Sequence, residues 1–142
     1  MYQTSQPSLD PDTRALIDDL ARCALPAGGF DHRAHVRVAW GLIRQDLSDA
    51  ALDRLRRLIQ RFADHAGADG LYHETITAFF FHRIREHALA LPADHTWADF
   101  IAAHPDLLDA HGATLRRAYS DARLASPIAK RTFLLPDRAM AS

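Results

Sequence analysis

Apolar residues recur along this chain with the spacing of α-helices. Leu55, Leu58, Ile59 and Phe62 share one face of a helical wheel, opposed by Arg54, Arg57, Gln60 and Arg61. The stripe predicts an amphipathic helix that starts after a Ser48 cap and runs to about Ala66. Upstream, Leu16, Ile17, Leu20 and Ala24 share a face. Asp10 as N-cap and Pro11 at the first helical position set the start of a helix to about Ala24. Asp31 caps a second helix to about Gln45. A fourth runs from about Tyr72 to Leu91 and stops at Pro92. A fifth begins near Thr96, carries Trp97, Phe100 and Ile101, and ends at Pro105. A short helix is expected from Ala113 to Tyr119. Residues 120–142 read as an irregular tail whose Phe133, Leu134 and Leu135 pack across the bundle. No stretch alternates with period two. The fold class is therefore all-α: a single compact bundle of five to six helices formed by residues 1–142, with residues 1–9 flexible.

Composition narrows the function classes. At 142 residues the chain can bury a full core without a covalent or metal staple. A formal net charge of −1 gives no electrostatic reason to bind nucleic acid. No apolar run approaches the length of a membrane span, and the first eight residues lack a signal core, so a cytoplasmic protein is expected. The one cysteine, Cys23, excludes an internal disulfide and any cysteine-based zinc site. Of 17 basic residues only Lys130 is lysine, a composition typical of a GC-rich bacterial genome.

The candidate chemistry lies in the histidines. On the second helix His32, His35, Val36, Ala39, Leu42 and Ile43 fall on one side, with Arg33, Arg37 and Arg44 forming a solvated face opposite. An i, i+3 pair of imidazoles on the apolar side lies about 5–6 Å apart at Cβ, close enough to share one ligand or ion. On the fourth helix His73 lies in line with Thr77 and Ile84, and Glu74 stands at the border of that face. If neighbouring helices alternate in direction, the first turns of the second and fourth helices meet at one end. The C-terminal ends of the first and fifth helices, carrying Cys23 and His104, should join them there. Burial and the positive end of the helix dipole should hold these imidazoles neutral, the form that binds metals or accepts protons.

No HExxH, CxxC, P-loop, GxGxxG or nucleophile elbow is present, and no Glu stands three residues before a His, so a ferritin-like site is excluded. Phe30, His32, His35 and Trp40 form an F-x-H-x-x-H segment, and residues 72–77 read Y-H-E-T-I-T. Leu107 and Leu108, then Tyr119, Leu124, Ser126, Phe133 and Asp137, follow in order. Over residues 20–138 this set resembles a family of small bacterial proteins without a settled activity. The resemblance implies emphasis on His32, His35, Tyr72, His73, Glu74 and Thr77. At His104 relatives often carry asparagine, which argues against an essential imidazole there.

Three functions compete. The first is a metal-dependent enzyme acting on a small organic substrate. His32, His35 and His73 ligate a divalent zinc or iron ion; Glu74 and His73 serve catalysis; Tyr72, Thr77 and His104 contact substrate. The second is a metal-free acid–base enzyme (an isomerase, cyclase or dehydratase) using His73 and Glu74. The third is a non-enzymatic bundle that binds a small molecule. No nucleic-acid or membrane partner is expected, and a homodimer stays open.

Overall fold

A computed structural model describes residues 9–26, 28–68, 70, 72–109 and 112–138. The described residues form an all-α fold. Its helices are α1 (Pro11–Ala21), α2 (His32–Gln45), α3 (Ala50–His65), α4 (Glu74–Leu89), α5 (Trp97–Ala103), α6 (Ala113–Ala118), α7 (Asp121–Ala125) and α8 (Pro127–Arg131). A 3-10 turn, Pro105–Leu108, follows α5. No helix among them is long and apolar enough to cross a membrane.

α2 is the central element, packed against α1, α3 and α4. Val36, Val38, Ala39, Trp40, Leu42 and Ile43 are all buried, so its C-terminal half is enclosed on every side. α1 approaches it so closely that a Cβ at Gly41 would stand 2.7 Å from Thr13 Cγ2 and 2.9 Å from Ile17 Cδ1. That contact admits only glycine. Leu9, expected to be flexible, is buried against this core; the other residues of that expectation, 1–8, lie outside the described ones. Phe79, Leu115, Ala118 and Tyr119 form a second, smaller core beneath the C-terminal segment.

The arginines of α2 do not form a solvated face. Arg37 is half-buried, donates to Thr13 Oγ1 at 2.7 Å and Asp10 Oδ2 at 2.9 Å, and lies over the Trp97 ring. Arg44 donates to Ala93 O at 2.6 Å and covers the Trp40 ring. Only Arg33 is exposed. Their long stems let the guanidiniums reach past the wheel position and tie α2 to its neighbours.

Local capping explains most boundaries. Asp31 accepts from Ala34 N at 2.9 Å, and Thr96 with Asp99 forms a reciprocal capping box. α1 stops at Ala21 because Cys23 takes φ +54°, a left-handed conformation that ends the helix before Ala24. α3 starts at Ala50, with Asp49 at the N-cap, and the Ser48 hydroxyl accepts from Ala50 N at 3.2 Å. α4 begins at Glu74, and the N-cap is His73, whose Nδ1 accepts from Ile76 N at 3.2 Å. The tail also contains α7 and α8, each capped by a serine, Ser120 and Ser126. The segment after α8 is tied to the bundle by Tyr119 Oη to Leu134 O, at 2.5 Å, and Thr75 Oγ1 to Thr132 O, at 2.8 Å.

Candidate functional site

The first turns of α2 and α4 and the middle of α3 enclose a cavity of about 210 Å³. Its walls are mostly apolar: Val36 and Ala39 from α2, Leu55 and Ile59 from α3, Phe80 and Ile84 from α4. His32, His35, Tyr72, His73 and Thr77 supply the polar groups. His32 and His35, in the first turn of α2, and His73, at the N-cap of α4, line the same cavity. No Lys, Arg, Asp or Glu lines the cavity among the described residues.

Hydrogen bonding separates the histidines into different roles. His73 Nδ1 accepts the helix-capping bond, so Nε2 carries the hydrogen and donates to Leu124 O at 2.7 Å. Both ring nitrogens are occupied. His32 Nε2 faces Leu107 O at 2.7 Å, and a carbonyl can only accept, so this nitrogen also carries a hydrogen. These two rings fasten the 3-10 turn and α7 to the bundle. His35 is different. Its ring meets the edge of Phe30, at a centroid distance of 3.8 Å, and no described protein group hydrogen-bonds either nitrogen. Burial, reinforced by the neighbouring His32, pushes its pKa down from 6.5 to about 4. At neutral pH His35 is therefore an uncharged imidazole with one donor and one acceptor unspent.

Glu74 does not line the cavity. Its buried carboxylate takes Arg56 Nε at 2.8 Å and a second Arg56 nitrogen at 2.6 Å, and accepts from Tyr72 Oη at 2.7 Å. The same arrangement holds the Tyr72 hydroxyl protonated: burial first, then the Glu74 hydrogen bond and charge, raise its pKa well above the usual range. Arg56 escaped the reading of the sequence because it stands off the apolar stripe of α3 and far in sequence from Glu74. His95 was also missed. It is buried, accepts from Trp40 Nε1 at 3.0 Å, and donates from Nδ1 to Pro92 O at 2.7 Å. That tautomer leaves no ring acceptor for Arg44 Nη1, 3.1 Å away, and Arg44 donates instead from Nη2 to His95 O at 3.2 Å.

Two expected neighbours are elsewhere. His104 stacks on His87, at 3.9 Å between centroids and 27° between planes, and is not part of the cavity. Cys23 lies half-buried beside α3, with Sγ 3.9 Å from Arg61 O. The metal set is also revised. Among the described residues no group of three or more His, Cys, Asp or Glu side chains is placed to hold a metal ion. The physical reason is that His73 has spent both nitrogens and Glu74 is held by Arg56 and Tyr72. Comparison of the chain with protein-family models, with curated proteins and with solved structures gives no match.

Proposed function

We propose that this protein binds a small organic molecule in the α2–α3–α4 cavity, with His35 as its principal polar contact. The observation that carries the reading is an unpartnered, uncharged imidazole facing a mainly apolar cavity. A partly buried imidazole with no hydrogen-bond partner among the described residues, standing in the wall of a cavity, leaves both ring nitrogens available to a ligand. An apolar cavity of about 150 Å³ already accepts benzene, so about 210 Å³ suits a molecule of single-ring size.

The acid–base alternative is weaker on two counts. A general base works best with a pKa near the operating pH, and His35 lies far below it. His73 and Glu74, the other candidates for proton transfer, are committed to Leu124 and Arg56.

A screen of single-ring fragments by ligand-detected NMR tests the reading. Fragments should bind, compete with one another, and be displaced in Ile59→Trp, which plugs the cavity from a half-buried wall position. Hits indifferent to Ile59→Trp, or no hits in a folded protein, would contradict it.

A further inference from the structure

The cavity also limits the kind of molecule it can hold, an inference that rests on the binding role proposed above. Three of its five polar side chains turn their hydrogens away from it. His32 Nε2–H goes to Leu107 O, His73 Nε2–H to Leu124 O, and Tyr72 Oη–H to Glu74 Oε1, at 2.7 Å in each case. Their donors are consumed by partners outside the cavity wall. The Thr77 hydroxyl is hydrogen-bonded to Tyr72 Oη, which leaves the Thr77 oxygen able to accept, and His35 can accept as well as donate. Among the described residues the wall carries no Lys or Arg to balance an anion, and no Asp or Glu to balance a cation.

We infer that the ligand is an uncharged single-ring compound bearing a hydroxyl group, a phenol or a close equivalent, whose O–H is accepted inside the cavity while the ring lies against Phe80 and Ile84. A carboxylate or phosphate would find the His32, His73 and Tyr72 hydrogens spent, no cation, and the single His35 N–H as donor, too little to replace its hydration. An ammonium group would meet acceptors but no countercharge, since the Glu74 carboxylate is already neutralised by Arg56. A hydrocarbon ring fits by shape but leaves the polar groups unpaired, which costs the site the same hydrogen bonds that a hydroxyl restores. The low pKa of His35 agrees with this geometry, because the ring supplies no positive charge at neutral pH.

The test compares four single-ring probes, the isosteric pair phenol and toluene with benzoate and benzylammonium, by titration at pH 7. Amide shifts of cavity residues such as Ala39 and Thr77 report binding. Phenol should bind about tenfold more tightly than toluene, as one satisfied hydrogen bond would give. Benzoate and benzylammonium should bind at least about a hundredfold more weakly than phenol. The order should flatten to within about twofold between phenol and toluene in His35→Leu, whose fold is checked by its amide spectrum. Benzoate or benzylammonium matching phenol would overturn the ligand class and leave the binding role standing. Toluene matching phenol in the wild type would do the same. Failure of all four probes to bind would remove the binding role itself, and the ligand class with it.

Discussion

Replacing Arg56 with methionine separates a structural Glu74 from a catalytic one. The Glu74 side chain is 11% exposed and that of Arg56 31% exposed, with two nitrogen–oxygen contacts under 3 Å between them. Removing the cation leaves a carboxylate that is nearly out of water and supported only by Tyr72. Breaking a fully buried pair in this way costs about 3–5 kcal/mol; the partial exposure of Arg56 brings the expectation to about 2–3 kcal/mol. The weaker pair of Arg56 with the exposed Asp53 adds little. For a domain of this size the loss corresponds to a fall in Tm of about 6–10 °C. Adding Glu74→Gln should recover part of it, since a neutral amide tolerates the site without a cation. A double-mutant cycle followed by urea unfolding should therefore show a coupling of about 1–2 kcal/mol. A fall below about 2 °C in Arg56→Met, with no coupling to Glu74→Gln, would refute the argument and return Glu74 to the list of groups free for chemistry.

Other outcomes follow from the same contacts. His35 binds a proton less readily folded than unfolded, so its contribution to stability is complete above pH 6.5 and is lost as pH falls towards about 4. The depression corresponds to about 3 kcal/mol across that window, and denaturant midpoints measured against pH should show this component in the wild type but not in His35→Leu. His73→Ala removes both the α4 cap and the Leu124 tie; about 2 kcal/mol should be lost, and hydrogen exchange should quicken first around residues 119–134. Uniform quickening across α2 and α3 would argue against that role. Thr75→Val strands Thr132 O and Leu134 N, which the buried hydroxyl now joins, and should cost about 2–3 kcal/mol, with Thr75→Ser recovering most of it. Equal losses in Val and Ser would mean that the methyl matters, not the hydroxyl. Finally, zinc, iron or manganese added to the protein should leave Tm unchanged. Near-stoichiometric metal that disappears in both His32→Ala and His73→Ala would reinstate a metal centre.

The parts of the fold visible in the sequence are those governed by neighbours within a turn. Asp31 and Thr96 cap their helices through residues three positions on, so α2 and α5 begin where expected. α4 was placed early because histidine is an unusual cap, and its Nδ1 lone pair acts where Ser or Asp would normally be sought. α7 and α8 have five residues each, too few for an apolar period to emerge, although Ser120, Ser126 and Pro127 carried ordinary start signals. That His32, His35 and His73 line one cavity was legible because all three lie at the starts of neighbouring helices, on their apolar sides. What each ring does was not, because the deciding carbonyls lie 75 and 51 residues away along the chain. Two of the three imidazoles thus read as ligands are fasteners for the C-terminal segment, and His35 is the one with neither nitrogen hydrogen-bonded to a described residue.

The most direct test of that distinction is the ring-nitrogen NMR spectrum of the histidines, recorded across pH and then with phenol added. His35 should stay uncharged down to about pH 4, and its ring nitrogens should shift on binding. His73 should keep its Nε2–H tautomer when phenol is added. A His35 ring protonated by pH 6, or phenol moving the His73 nitrogens while those of His35 stay still, would contradict the account.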